Sequence, residues 1–404
     1  MDKLTIEDLP ESAFKGKRVL VRVDFNVPIE NGGIADDTRI TATLPTLEAL
    51  VERRARIILV SHLGRPRGQW VDDLSLAPVA DRLRERIDAP VTFVRDVVGA
   101  DAHAAVDALG PGEILLLENV RFLPGEETDD PHLSEALAAF ADVYVNDAFG
   151  TAHRAHASTR GAPEVIRAEG RPAVAGLLMQ RELEFLGKAL AEPERPFTAI
   201  LGGAKISGKI DVIESLLPRA DRLLIGGAMA NTFFEALGLE TGRSLVEDDR
   251  VDVARELLGR AGDKLVLPAD VIIANEAEAR AAPSTVSRDD VPPDARILDI
   301  GPATVAAFRE IITSSRTVLW NGPMGYFEIG AFAEGTRGVA GAVAEATANG
   351  AVTIAGGGDT AAALEEAGLA DRLTHVSTGG GASLEFLEGR TLPGVAILND
   401  RNGQ

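Results

Sequence analysis

A chain of 404 residues is too long for one ordinary hydrophobic core, so two domains of ordinary size are expected. Its apolar fraction of 45% is typical of a globular protein, and the absence of cysteine excludes disulfides and thiolate chemistry. The sequence has no apolar run long enough to span a membrane, and its net charge of −21 argues against a nucleic-acid partner, because nucleic-acid phosphates bind basic surfaces.

The acidic excess has two interpretations, and the sequence leaves both open. It fits a carboxylate surface suited to a salty cytosol, and it also fits a GC-rich genome that favours Ala, Arg, Gly and Asp codons. In either case the charge bears on solubility rather than on chemistry. Residues 1–18 are charged and lack the apolar core of a signal peptide, so a cytoplasmic location is expected.

Short apolar runs separated by helical patterns predict βαβ units and parallel sheets, an α/β fold. In the first half the predicted strands are 18–25, 56–62, 91–94, 114–117 and 143–145. In the second half they are 198–201, 222–225, 264–274, 317–320 and 352–355. Nearly all end in Gly, Asp, Asn, Arg or His, which matters because open parallel sheets bind ligands at the carboxyl ends of their strands.

An apolar stripe at helical spacing runs from Val174 to Leu186, and Pro172 suits the first turn of a helix. We interpret 172–190 as an interdomain helix, with an ordinary crossover helix inside one large sheet as the alternative. The expected domains are therefore 1–171 and 191–388, and 389–404 is expected to be an extended closing tail.

The predicted strand ends of the first half collect cationic side chains in a chain that is otherwise acidic. A parallel sheet brings these ends together, and the planar fork of arginine binds carboxylates and phosphates in a bidentate manner. Asp24 and Asn26 lie on one side of their strand and could hold a hydroxyl group. The sequence therefore predicts a small, polyanionic, hydroxylated ligand. The basic side chains are Arg39, His62, Arg65, Arg121 and Arg154, the last flanked by His153 and His156, for which a zinc site is not favoured.

The second half contains the loop LGGAKISGK, which holds two of the seven lysines, Lys205 and Lys209. The loop follows a predicted strand and precedes a predicted helix. This order of strand, glycine turn, two cations and helix presents backbone N–H groups and positive charge to a phosphate. The loop is not a P-loop, because Ile210 stands where that motif needs a hydroxyl for Mg²⁺.

Glycine clusters follow several other strands of the second half and could line a flat slot for a base. In IAGGGDTAA, Asp359 would suit a Mg²⁺-bound phosphate, and Thr360 could add a hydroxyl. Glu328 is a candidate partner for ribose hydroxyls, although an exposed loop carboxylate explains it equally well. Together these features favour a nucleotide with its metal.

The segments RVDFNVP, SHLGRP, ENVRF, NDAFGTAHRAHAS, LGGAKISGKI, WNGPMGYFE, GGGDTA and TGGGASLEFLEG follow one another along essentially the whole chain. This order resembles the phosphoglycerate kinase family. The resemblance implies two Rossmann-like domains joined by a helix around a cleft that closes by a hinge. It implies 3-phosphoglycerate (1,3-bisphosphoglycerate in reverse) in the first domain, Mg-ATP or Mg-ADP in the second, and a tail that returns to the first domain. The short, acidic, lysine-poor sequence is most similar to archaeal members, and a monomer is expected with a dimer left open.

The resemblance also assigns roles to residues. The acid substrate would contact Asp24, Phe25, Asn26, Arg39, His62, Leu63, Gly64, Arg65, Arg121 and Arg154. The nucleotide would contact Gly203, Lys205, Lys209, Glu328, Gly357, Gly358, Asp359 and Thr360, with Asp359 oriented to the Mg²⁺. Arg39 and Lys205 would stabilise the transferring phosphoryl group.

Two other functions were weighed against this one. An NAD-dependent dehydrogenase is suggested by the match of 356–361 to G-x-G-x-x-A, but the acidic residues Glu385 and Glu388 lie further on than that motif requires. A two-domain protein that binds small anions would leave both lysines and the glycine clusters without a purpose.

Overall fold

The computed structural model describes residues 2–30 and 32–401. The chain divides into two compact units, a first unit of Met1–Glu184 with Thr391–Gln404 and a second unit of Phe185–Arg390. The strands are β1 Arg18–Arg22, β2 Ile29–Glu30, β3 Gly33–Ile34, β4 Arg56–Val60, β5 Val91–Phe93, β6 Ile114–Leu116, β7 Val143–Asn146, β8 Ala173–Ala175, β9 Phe197–Leu201, β10 Arg222–Ile225, β11 Leu265–Val266, β12 Asp270–Ala274, β13 Ser284–Ser287, β14 Arg296–Ile300, β15 Thr317–Asn321, β16 Val352–Gly356 and β17 His375–Val376.

The α-helices alternate with these strands for most of the chain. They are α1 Thr38–Glu52, α2 Ala77–Arg86, α3 Ala100–Ala108, α4 Pro131–Ala138, α5 Ala162–Ala168, α6 Leu177–Ala191, α7 Ile210–Leu216, α8 Met229–Ala236, α9 Val251–Ala261, α10 Pro302–Thr313, α11 Glu334–Ala348, α12 Gly358–Glu366, α13 Gly381–Leu387 and α14 Pro393–Ala396. Within the described residues, no helix is long and apolar enough to cross a membrane.

The first unit is built on a parallel six-stranded sheet with the order β5-β6-β4-β1-β7-β8. In β1, Val19, Leu20 and Val21 are all fully buried, although successive side chains point to opposite faces. Both faces of the sheet are therefore covered, which is why its strands appear in the sequence as continuous apolar runs rather than as alternating patterns.

The second unit has its own parallel six-stranded sheet, with the order β11-β10-β9-β15-β16-β17. The predicted α/β fold with two parallel sheets is thus confirmed. The structure adds a three-stranded antiparallel sheet, β13-β12-β14, which the sequence analysis does not predict.

The single strand predicted for 264–274 is wrong, because the structure divides it into β11 and β12. Pro268 lies between the two and has no N–H to donate to a ladder. The next N–H groups, of Ala269 and Asp270, donate to the Thr304 hydroxyl at 3.0 and 3.1 Å. The chain turns here, so β11 stays in the parallel sheet and β12 enters the antiparallel one.

The helix predicted to begin at Pro172 begins instead at Leu177, because residues 173–175 form β8. Val174 is fully buried and pairs with Val145 of β7, so the first apolar residue of the stripe belongs to the sheet. The helix α6 that follows has its first N–H groups bonded to side chains. Asp147 accepts from the backbone N–H groups of Leu178 and Met179 at 2.9 and 3.1 Å, and burial raises the pKa of this carboxyl to about 6.

The tail is not wholly extended as expected, because Pro393–Ala396 forms the short helix α14. Proline at the start of this turn supplies a backbone angle already suited to a helix. The tail bonds to the first unit: Ala173 N–H donates to the Asn399 side chain at 2.8 Å, and Lys3 Nζ donates to the Leu398 carbonyl at 2.9 Å.

The side chain of Leu398 is fully buried, so Leu398→Ala is expected to lower the free energy of unfolding of the first unit by about 2–5 kcal/mol. Hydrogen exchange of peptides covering β8, measured at increasing urea, would show the loss. Thr391→Ala, in the same segment but exposed, is the control and should change stability by less than about 0.5 kcal/mol. Equal exchange in the two variants would show that the tail does not stabilise this unit.

Candidate functional site

The carboxyl ends of β1, β4 and β7 lie side by side in the first unit, and basic side chains gather there. Burial lowers the pKa of His62 well below its usual value, and the nearby charges of Arg22, Arg121 and Arg39 lower it further. Burial also lowers the pKa of His156 to about 4, with Arg121 and Arg22 as the next causes. Both imidazoles are therefore neutral near pH 7 and stand inside a cluster of arginines.

Asp24 and Arg39 form an ion pair at this edge. Arg39 Nη1 donates to Asp24 Oδ2 at 2.9 Å, and Nδ1 of His62 lies 3.8 Å from Asp24 Oδ1. The Arg39 side chain is about one-third exposed and that of Asp24 is mostly buried. The carboxylate thus fixes one end of the guanidinium, and the remaining N–H groups of Arg39 are available for an anion.

The loop after β4 is held by Asn26 and Arg121. Gly64 N–H donates to Asn26 Oδ1, and Arg121 Nη1 donates to the Gly64 carbonyl, both at 2.8 Å. Burial lowers the pKa of Arg121, and the charge of Arg22 adds to this effect. Asn26 and Arg121 therefore shape this loop, and a contact of either residue with a ligand stays a prediction.

The other predicted residues of the first unit differ in exposure. Arg65 and Arg154 are exposed, which suits residues that meet a ligand from solvent. Phe25 and Leu63 are buried in the hydrophobic core, so their side chains do not face solvent. The Phe25 N–H donates to the Ser61 hydroxyl at 2.9 Å, and the Leu63 carbonyl accepts from Asn119 at 2.7 Å.

Three residues beside this cluster were missed by the sequence analysis. Arg22, Glu126 and Ser158 are fully buried, and the Ser158 hydroxyl accepts a hydrogen bond from Arg22 and donates one to Glu126. A signal existed for Arg22, since an arginine inside an apolar strand has to be paired when it is buried. Nothing in the sequence marks Glu126 as its partner.

In the second unit, Lys209 is the most strongly perturbed cation. Its Nζ donates to Asn321 Oδ1 at the end of β15. Burial lowers the pKa of Lys209 to about 8, against the opposing effect of the carboxylates of Asp359 and Glu388. Lys205 is exposed in the same loop, and Gly203 before it has a φ of +105°, which favours glycine. The structure thus brings Lys209 near Asp359, whereas the charge of Lys205 acts on Glu247.

The turn between β16 and α12 is held by Thr360. Its buried hydroxyl accepts from the Gly322 N–H at 2.7 Å, so it links this turn to the end of β15. Gly357 has a φ of +96°, and a Cβ there would lie 3.1 Å from the Asn321 amide nitrogen. The helix that begins at Gly358 presents unpaired N–H groups at its first turn, a favourable position for phosphate.

A small pocket lies beside these turns, lined by both apolar and polar side chains. Burial raises the pKa of Asp299 in its wall to about 7. Glu328 is exposed on the loop that follows Tyr326. The lining includes Gly227, Asn231, Phe234, Leu298, Met324 and Tyr326. The glycine clusters here are predictable from the sequence, whereas the side chains contributed by α8 and β14 are not.

The described residues contain no group of three or more acidic or histidine side chains that could hold a metal alone. Mg²⁺ commonly binds one or two carboxylates and completes its shell with waters and substrate phosphates. The exposed carboxylate of Asp359, at the start of α12 and near Lys209, fits that kind of site.

Comparison with known proteins covers both units. The family model described as "Phosphoglycerate kinase" matches residues 6–390. The phosphoglycerate kinase of Chlorobium limicola is 55% identical over 404 residues, covering 99% of this chain and 100% of its own. That of Herpetosiphon aurantiacus is 54% identical over 405 residues, covering 99% and 100%.

A solved structure of phosphoglycerate kinase from Coxiella burnetii superposes with a TM-score of 0.86 at 41% identity, covering 98% of each chain. These relatives are bacterial, so the expected similarity to archaeal members is not supported. Neither the dehydrogenase nor the solute-binding alternative receives support from any of them. The match of the family model and the identity along nearly the whole chain show that this protein belongs to the phosphoglycerate kinase family.

Proposed function

We propose that the two sites described above perform the reversible transfer of the γ-phosphoryl group of ATP to the carboxylate of 3-phosphoglycerate, giving ADP and 1,3-bisphosphoglycerate. The proposal rests on the side chains at the carboxyl edges of the two parallel sheets. Arginines cluster at the edge of the first sheet, and lysines and glycine turns lie at the edge of the second sheet. The first suits a small anion with a phosphate and a carboxylate, and the second suits a nucleotide phosphate chain.

The acid substrate binds at the edge formed by β1, β4 and β7. Arg65, Arg121 and Arg154 bind its phosphate and carboxylate together with Arg39, and neutral His62 adds an uncharged donor. The acceptor carboxylate is already ionised at pH 7, so the reaction needs no general base. This agrees with a site whose histidines have pKa values lowered by burial.

The nucleotide binds at the edge formed by β9, β15 and β16. Its base occupies the pocket beside Gly227, its ribose meets Glu328, and its phosphates lie between Lys209 and the first turn of α12. Asp359 would hold the Mg²⁺, which when bound would neutralise phosphate charge. Lys205 is exposed, so its long side chain can follow the phosphoryl group as it moves.

Transfer depends on alignment and on neutralising the charge of the phosphoryl group. We assign this neutralisation to Arg39 in the first unit and Lys205 in the second. The two ligands bind to different units, so the reaction requires the units to approach by a hinge motion about α6, which also excludes water. A cytoplasmic location and a monomeric state remain predictions.

Turnover measured as ATP-dependent phosphorylation of 3-phosphoglycerate, coupled to NADH oxidation, is expected only when ATP, 3-phosphoglycerate and Mg²⁺ are all present. The same assay at low and at molar salt tests the halophilic interpretation of the −21 charge, which predicts higher activity in molar salt. No turnover at either salt concentration, with the protein folded, would contradict the proposed function.

Arg39→Ala is expected to lower kcat about 100-fold, because one cation that stabilises the phosphoryl group contributes about 3 kcal/mol. The affinity for ADP, measured by calorimetry, should stay near the wild-type value because Arg39 belongs to the acid site. Arg86→Ala is a matched control, since Arg86 forms an exposed ion pair with Asp37 just before the same helix. An unchanged kcat in Arg39→Ala would remove Arg39 from the mechanism.

The affinity for ADP is expected to fall as pH rises from 7 to 9. In the protein without nucleotide, the pKa of the Lys209 ammonium is lowered to about 8, so Lys209 loses its proton in this range. Only the protonated form attracts phosphate. Lys209→Met should bind ADP more weakly at pH 7 and should lose most of this pH dependence. Calorimetric titrations at several pH values provide the measurement, and a wild-type slope retained in Lys209→Met would assign it to another group.

A further inference from the structure

Arg22 is a fully buried cation at the end of β1 and contacts His62 directly. Its Nη2 lies 3.2 Å from Nδ1 of His62, its Nε donates to the Ser158 hydroxyl at 2.8 Å, and its Nη1 donates to the Val23 carbonyl. A guanidinium has only donors, so Nδ1 of His62 has to accept this hydrogen bond. In a neutral imidazole the proton is then on Nε2.

Ser158 connects Arg22 to a buried counter-charge. Its hydroxyl accepts from Arg22 and donates to Glu126 Oε1 at 2.6 Å, and its backbone N–H donates to Glu126 Oε2 at 2.9 Å. Burial raises the pKa of Glu126, while the charge of Arg22 and the two donors of Ser158 lower it. Burial is the largest of these effects, so the pKa is raised overall. Both carboxyl oxygens nevertheless receive a donor from Ser158, which supports the ionised form as the counter-charge of the buried guanidinium.

Asp24 is the competing partner for the same imidazole nitrogen. Its Oδ1 lies 3.8 Å from Nδ1 of His62, too far for a hydrogen bond, and its Oδ2 is bonded to Arg39. If Arg22 were absent, a small shift would let Nδ1–H donate to this carboxylate. The proton would then leave Nε2, which would carry a lone pair instead of a donor.

We propose that Arg22 is a positioning residue that fixes neutral His62 in its Nε2–H form, while Ser158 and Glu126 hold Arg22 in place. His62 then offers a hydrogen-bond donor to the acid substrate, whereas the opposite tautomer would present a lone pair to an anion. The identity of that ligand rests on the proposed function, but the tautomer does not.

The tautomer is measured by nitrogen-15 NMR of the histidine-labelled, ligand-free protein. We expect the Nε2–H pattern for His62 in the wild type and a shift toward Nδ1–H in Arg22→Met, with a smaller shift in Ser158→Ala. His103, whose ring packs edge-to-face against Phe140, is an internal reference. Arg171→Met is the matched control, because Arg171 also donates to a backbone carbonyl of the first unit, that of Ala138 at 2.9 Å.

Kinetics supply the second readout. Losing one well-placed donor is expected to raise KM for 3-phosphoglycerate roughly tenfold in Arg22→Met, which corresponds to about 1.4 kcal/mol, and to leave KM for ATP within about twofold. Arg171→Met should leave both values unchanged.

Several outcomes would overturn the inference. Observation of the Nδ1–H form of His62 in the wild type would overturn it, and this result does not depend on whether Arg22→Met folds. An unchanged tautomer of His62 in a folded Arg22→Met would also overturn it. A changed tautomer with an unchanged KM for 3-phosphoglycerate would overturn the donor role. Absence of wild-type turnover would instead contradict the proposed function, and the NMR result would still decide the tautomer.

Discussion

Parallel pairing of β1 with β4 and β7 is the constraint on which the site of the first unit depends. The three strands run in one direction, so the loops that follow Arg22, Val60 and Asn146 leave the sheet at the same edge. In an antiparallel sheet these loops would alternate between opposite edges, and Asp24 could not lie near His62. The same constraint in the second unit places the loops after β9, β15 and β16 together, so Lys209 meets Asn321.

Collecting cations at one sheet edge creates repulsion that the first unit limits in two ways. Arg22 and Arg39 each have a carboxylate partner, Glu126 through Ser158 and Asp24 directly. The histidines within the cluster are kept neutral, since burial and the arginine charges lower their pKa values. The edge therefore gains hydrogen-bond donors without further positive charge, and it remains attractive to an anion.

The sequence predicts the parts of this arrangement that depend on local pattern. Buried parallel strands leave continuous apolar runs, and polar residues at their ends locate the sheet edge, so the strands around Val19 and Ile57 and the loops of His62 and Lys209 are predictable. The strand β8 is not, because its central residue, Val174, also fits the apolar stripe of the following helix. Glu126 could not be identified from sequence, because its bond to Ser158 joins residues 32 positions apart through tertiary packing.

The two units use different cations. Burial explains why lysine could not replace arginine in the first unit without a loss of charge. Lys209 is partly buried, and its pKa falls to about 8 even though two carboxylates oppose the fall. At Arg121, burial and the neighbouring Arg22 charge lower the pKa, and they outweigh the opposing carboxylates of Glu127, Glu126 and Asp24, so a lysine there would lose its proton more readily than a free lysine. Arginine keeps its charge under such conditions because its ordinary pKa is much higher. A partly buried cation that lies beside another cation, as Arg121 does, is therefore better served by arginine, whereas the charges that act on Lys209 are those of carboxylates.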